Sequence, residues 1–117
     1  MSDLATWLRA QLDYQRLLGE TLQALGGPRS PLSDESGSML QKAGDLLVAD
    51  AAAGRQLLTV HHQDGGDCST CVQWRDDEDP DGGRTAYPGS MRWPCSTVRL
   101  LALPHADRPG YDEAWRP

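Results

Sequence analysis

Residues 61–71 read His-His-Gln-Asp-Gly-Gly-Asp-Cys-Ser-Thr-Cys, and the remaining cysteine, Cys95, follows Trp93-Pro94. Two cysteines separated by two residues place their sulfurs close enough to bind one tetrahedral metal ion. Cys68 and Cys71 lie in a stretch rich in Gly and Asp, so burial as small apolar side chains does not account for them. Cys95 supplies a third sulfur and a histidine supplies a fourth ligand, which predicts one structural zinc ion.

The fourth ligand is predicted to be His61, because it continues the apolar helix face that carries Leu47 and Leu58. His62 would point about 100° away on an ideal helix, although the two are hard to separate where a helix end frays. His105 follows Pro104 and is a weaker alternative. The predicted metal site is therefore formed by His61, Cys68, Cys71 and Cys95.

Catalytic and redox interpretations of the cysteines fit less well. A Cys68–Cys71 redox pair lacks the strand-then-helix context of thioredoxin-like sites and leaves Cys95 unexplained. Zinc deaminases require a Glu two residues after the histidine, and Gln63 and Asp64 occupy those positions. Glycine loops that bind phosphate and nucleophile-elbow motifs are also missing. The sequence predicts a protein that is not an enzyme.

Two helices are expected before the cysteines. Residues 3–25 form an amphipathic helix that Ser2 or Asp3 can cap, and a loop over 26–37 follows. A second helical region is predicted over 39–61, with Gly44-Asp45 as a point where it can break. Two such helices pack most simply as an antiparallel hairpin. The apolar stripe of the first helix consists of Leu4, Trp7, Leu8, Leu12, Leu18, Leu22 and Leu25.

The rest of the chain is predicted to be irregular around the metal. Residues 62–95 show no periodicity and would form a zinc-held loop. A short helix that Ser96 can cap and a docked tail containing Trp115 are predicted over 96–117. The fold class expected is mainly α: one zinc-stabilised domain over 1–117, with a small helical hairpin, an irregular zinc loop and short C-terminal helices.

Composition narrows the functions further. Of 117 residues 38% are hydrophobic, with 12 Gly and 8 Pro, so the core is small and the four Trp are expected to be major packing anchors. The net charge of −6 disfavours non-specific nucleic-acid binding. The acidic run 76–83 lacks the ligand pattern of an EF-hand and predicts a solvated loop. With no signal peptide or membrane-spanning run, the predicted location is cytoplasmic.

Three segments resemble a family of small actinobacterial and actinophage proteins of unknown function. They are 3–13, 52–61 and the C-terminal run 94–117, which reads Pro-Cys-Ser-Thr-Val-Arg-Leu-Leu-Ala-Leu-Pro and ends in Trp-Arg-Pro. The resemblance aligns His61 with the family histidine and Cys95 with its Pro-Cys element. The chain departs from the family over 26–44, where the connection between the helices is shorter and altered.

The leading functional hypothesis is a small structural-zinc protein that acts as a protein-interaction or regulatory module of bacterial or phage origin. The first alternative is a thiol/zinc redox sensor, in which oxidation of Cys68 and Cys71 releases the ion. A weaker alternative is a DNA-associated zinc protein. The expected partner is another protein, with no membrane and no nucleic acid, and the chain is expected to be a monomer or a homodimer.

Overall fold

The computed structural model describes residues 3–27, 31 and 34–117. Within them, three helices accompany a three-stranded antiparallel sheet of strand order β1-β2-β3. The prediction of a mainly α fold is therefore wrong, and the fold is of the α+β class. The elements are α1 (Leu4–Leu25), α2 (Asp34–Val60), β1 (Gln63–Asp64), β2 (Asp67–Glu78), β3 (Arg84–Arg92) and α3 (Ser96–Ala102), with 3₁₀ turns at Leu103–His105 and Glu113–Trp115.

α1 begins and ends with ordinary capping interactions. The Asp3 carboxylate accepts a hydrogen bond from the Ala5 N–H at 3.0 Å, and the Gly26 N–H donates to the Leu22 carbonyl. The alternative cap, Ser2, lies outside the described residues. The first half of the apolar stripe, from Leu4 to Leu12, is buried in the core.

α2 is longer than predicted and continues through Gly44 without a break. The predicted loop over 26–37 is wrong for 34–37, which belong to this helix, while 28–30 and 32–33 lie outside the described residues. α1 crosses α2 closely at Gly44, where a Cβ would lie 2.5 Å from the Gly19 carbonyl oxygen. The glycine allows two backbones to approach rather than ending a helix.

This close approach predicts that Gly44→Ala destabilises the protein by roughly 2 kcal/mol or more, because the added methyl meets backbone atoms of α1. Gly37→Ala is the matched control in the same helix, since its Cβ would be in ordinary contact at 3.5 Å. Alanine there should be neutral or stabilising by up to ~1 kcal/mol. Denaturant unfolding of both variants measures the difference, and equal stabilities would contradict the close crossing.

Residues 62–95, predicted to be an irregular loop, instead form the sheet. β2 and β3 pair antiparallel from Val72↔Ser90 to Glu78↔Arg84. The turn between them contains Gly82 at φ 88°, a left-handed conformation that glycine adopts without strain. The acidic run 76–83 is solvent-exposed as predicted, but it is the end of a strand and a turn rather than an irregular loop.

We call residues 72–90 the β-arm. Every residue of β2 from Val72 to Glu78 is exposed, and β3 is exposed over most of its length. Trp74 is 75% exposed. The expectation that all four Trp are packing anchors is therefore wrong for Trp74.

The C-terminal tail folds back onto α1. The Trp7 indole N–H donates to the Pro109 carbonyl at 2.9 Å, and its ring centroid lies 5.4 Å from that of Trp115 and 5.5 Å from that of Tyr111. Trp115 is buried, so the tail is docked as predicted. The core between helices and tail also contains Leu4, Leu8, Leu12, Leu58, Cys68, Cys95, Val98 and Ala102.

Candidate metal centre

The four predicted ligands meet at one point, although they come from three elements. His61 directly follows α2, Cys68 and Cys71 belong to β2, and Cys95 is the N-cap residue of α3. The His61 N–H donates to the Leu57 carbonyl at 2.8 Å, which continues the helical hydrogen bonding of α2. The His61 ring nitrogen and the three sulfurs all lie within 4.8 Å of one another.

The spacing of these atoms matches a tetrahedral zinc site. The His61 Nδ1 atom lies 3.6 Å from Cys68 Sγ, 3.3 Å from Cys71 Sγ and 3.7 Å from Cys95 Sγ. Zn–S bonds of ~2.3 Å and Zn–N bonds of ~2.0 Å at tetrahedral angles place sulfur and nitrogen about 3.5 Å apart. All three cysteines are free thiols, so none of them is used in a disulfide bond. The donor set and its size fit zinc.

The Cys-x-x-Cys segment occupies an irregularity in the sheet. β2 pairs regularly with β3 at Asp67 and again from Val72, and the register shifts between these points. Residues 68–71 therefore leave the pairing with β3, although Cys68 still pairs with Gln63 of β1, and the Cys68 and Cys71 sulfurs lie next to the His61 ring. Burial raises the pKa of the Cys68 thiol, but the Thr70 and Cys71 N–H groups stabilise its thiolate and bring the pKa down to about 6.

The pKa of the Cys71 thiol shifts the other way. Burial raises it most, and the neighbouring sulfurs of Cys95 and Cys68 raise it further, to about 11. A second or third negative sulfur is therefore unfavourable in this cluster without a compensating charge. A bound divalent cation would supply that charge and would allow all three thiols to ionise.

The other two histidines lie outside the cluster. His62 is exposed, and its Nδ1 atom lies 3.0 Å from Ser69 Oγ and 3.2 Å from the Thr59 carbonyl oxygen. His105 lines a separate groove of about 390 Å³ between the helices. Burial lowers the pKa of His105, and the Asp50 carboxylate partly offsets that effect. The structure thus brings His61, and neither His62 nor His105, together with the three cysteines.

The model of the family of unknown function DUF6221 matches residues 1–117, which is the whole chain. The chain belongs to the DUF6221 family. No curated protein matches it, and no solved structure matches it. Its predicted origin in actinobacteria or their phages stays a prediction. Within the described residues, none of the helices combines the length and hydropathy needed to cross a membrane.

Two residues between the cysteines of this DUF6221 chain take part in the site without being ligands. Ser69 Oγ donates to the Val60 carbonyl at 3.0 Å, and the Thr70 hydroxyl donates to the same oxygen. They satisfy the last carbonyl of α2 and so fix the end of the helix from which His61 extends. Sequence reasoning did not single them out, although two hydroxyl residues between the cysteines are a readable signal.

Proposed function

We propose that this DUF6221 protein binds one structural zinc ion through His61 Nδ1 and the sulfurs of Cys68, Cys71 and Cys95. The observation that carries this is the set of three nitrogen–sulfur distances between 3.3 and 3.7 Å. Four protein ligands complete the tetrahedral shell and leave no position for a substrate, as in structural rather than catalytic sites. We therefore propose a role that is not enzymatic.

The ion would join the end of α2, the start of β2 and the start of α3. Cys68 and Cys95 are 4% and 0% exposed and belong to the core that also contains Leu58 and Val98. The β-arm leaves this core at Cys71, and beyond that residue its first strand is exposed. The direction of the arm relative to the helices therefore depends on the metal site.

The protein-interaction role rests on the β-arm. Val72 and Trp74 lie on the same face of β2 and are 61% and 75% exposed. Exposed Trp side chains are frequent hot spots in protein interfaces. Asp76, Asp77 and Glu78 follow them along the strand. The partner that fits this arrangement is a protein with an apolar pocket beside a basic surface.

A redox sensor is the second candidate, and the accessibility of the cluster favours it. Cys71 and His61 are only half-buried, so a small oxidant can reach the Cys71 sulfur, while Cys68 and Cys95 are buried. Peroxide would take two electrons from the Cys68 and Cys71 thiolates, form one disulfide and water, and release zinc. Zinc release at micromolar peroxide that thiol reduction reverses would support this role. Retention of zinc at millimolar peroxide would exclude it.

The metal content of purified protein tests the zinc proposal. Native mass spectrometry is expected to find one zinc per chain in the unaltered protein and none in Cys71→Ser. His61→Ala should lower zinc affinity by at least tenfold, because the remaining three sulfurs leave one position to water. His62→Ala is the matched control and should keep full zinc content. Natively prepared protein without zinc, or equal losses in the two histidine variants, would overturn the assignment.

A further inference from the structure

The groove that contains His105 belongs neither to the metal centre nor to the β-arm. It is bounded by α2 and by α3 with the 3₁₀ turn that follows it, and Leu12 of α1 forms part of its lining. Its volume of about 390 Å³ is in the range of small-molecule sites. Most of its lining is apolar, and Leu57 and Leu100 are 37% and 56% exposed there. The groove can therefore cover the apolar body of a small molecule.

Gln15 places an unpartnered oxygen at one end of this groove. The side chain is only 8% exposed, and its amide group donates to the Leu47 carbonyl at 3.0 Å and to Asp50 Oδ2 at 2.8 Å. Both partners are acceptors, so they determine which side of the amide carries the nitrogen. The Oε1 atom has no hydrogen-bond partner within 3–27, 31 and 34–117. It is not fully buried either, so it can accept a hydrogen bond from a molecule in the groove that Gln15 lines.

Two more acceptors lie at the same end of the groove. Asp50 uses Oδ2 in its bond with Gln15, which leaves the lone pairs of Oδ1 available. The pKa of the neighbouring His105 is lowered by burial, and the Asp50 carboxylate only partly offsets that effect. The imidazole is therefore neutral at pH 7 and offers one ring nitrogen as an acceptor. Its ring has no hydrogen-bond partner in the described part of the chain.

The charge and the hydrogen-bonding groups at this end select a protonated amine. A primary ammonium group carries three N–H donors and no acceptor, which matches an amide oxygen, a carboxylate and an imidazole nitrogen. Among the described residues that line the groove, Asp50 alone carries a formal charge at neutral pH. The groove therefore attracts a cation and disfavours a carboxylate.

We propose that this groove binds a small primary amine with an apolar body. The ammonium group would lie between Gln15 Oε1, the Asp50 carboxylate and the His105 ring. The apolar body would lie against the walls formed by Leu57, Leu100, Leu101 and Pro104. A lysine of a partner protein has the same charge, but its narrow stem would leave these walls uncovered. The proposal involves neither the zinc ligands nor the β-arm, so it can fail while the zinc assignment holds.

Titration of the isotope-labelled, zinc-loaded full chain with phenethylamine, followed by NMR, tests the proposal. Amides in 50–57 and 97–105 should shift with a Kd on the order of 1 mM or below, while those of the β-arm should not change. Phenethyl alcohol and hydrocinnamate have the same apolar body without the ammonium group. Both should bind at least about fivefold more weakly. The amide of N-acetyl-lysine tests the lysine side chain and should also bind more weakly.

Asp50→Asn should weaken the binding of phenethylamine by about fivefold or more, because it removes the charge and keeps the shape of the side chain. The matched control is Asp45→Asn. Asp45 accepts a hydrogen bond from Gln23 Nε2 at 2.7 Å between the same two helices, but it lies outside the lining of the groove. This variant should bind the amine like the unaltered protein.

Ala53→Leu tests the apolar part of the groove, because the larger side chain would occupy space in the lining. It should also weaken binding, whereas Ala52→Leu, outside the lining, should not. All four substituted positions are exposed, so the variants are expected to fold. No shifts at amine concentrations well above 1 mM, equal binding of the three phenyl compounds, or equal effects of the two Asp variants would overturn the proposal. Lysine amide that binds as tightly as phenethylamine would overturn the assignment to a small molecule.

Discussion

Removal of the proposed zinc ion is expected to abolish the cooperative unfolding transition of this protein. Structural zinc contributes ~10–16 kcal/mol to the folding of small domains, whereas a whole domain is stable by only ~5–15 kcal/mol. Without the cation, Cys68 and Cys95 would be buried thiols beside the half-buried Cys71, with nothing to balance a second negative charge. The C-terminal tail and the β-arm should then detach from the helices.

Near-UV circular dichroism during titration with a zinc chelator measures this loss, since Trp7 and Trp115 report on the docked tail. Cys95→Ser should behave like the chelated protein without any chelator. His62→Ala should require the same chelator concentration as the unaltered protein. Metal-free protein that keeps its near-UV signal and its midpoint temperature would show that the cluster does not hold the fold together.

The helices and the candidate site could be predicted because their signals are local and regular. The leucine stripe of α1 has the helical period, and a Cys-x-x-Cys has few physical explanations in a polar stretch. His61 could be predicted as the fourth ligand because it continues the apolar face of α2. The structure places its Nδ1 atom among the three sulfurs and leaves His62 against Ser69 and Thr59.

The strands could not be recognised from hydrophobic alternation, because the β-arm has no buried face to produce one. Asp76, Asp77 and Glu78 also have low strand propensity. The turn was more informative than the strands, since Pro80-Asp81-Gly82-Gly83 lies between two runs that contain Val, Trp, Thr and Tyr. That combination is typical of a hairpin.

The prediction that the second helix can break at Gly44 was wrong, because the physical reason for this glycine lies on the other helix. A lone sequence cannot show that Gly19 is opposite Gly44, so a glycine that permits contact resembles one that ends a helix. The four Trp pose the same difficulty. Trp74 is exposed and Trp115 is buried, and only the fold distinguishes them.

Replacement of Trp7 is expected to cost more stability than any other single change in the helices. Its ring is 7% exposed and contacts both Tyr111 and Trp115, and its N–H is bonded to the Pro109 carbonyl. Trp7→Ala should destabilise the protein by about 3–5 kcal/mol through the lost burial and the cavity left behind. Trp7→Phe keeps a ring but not the donor, so it should lie between alanine and the native residue.

The matched control is Trp74→Ala, which removes the same side chain from a position that is 75% exposed. Its effect should stay within ~0.5 kcal/mol, because little buried area is lost. Denaturant unfolding of zinc-loaded variants at one protein concentration compares the two. If Trp7→Ala cost no more than Trp74→Ala, the tail would not be packed on α1. A large cost at Trp74 would instead show that the β-arm is covered by a second chain or a partner in solution.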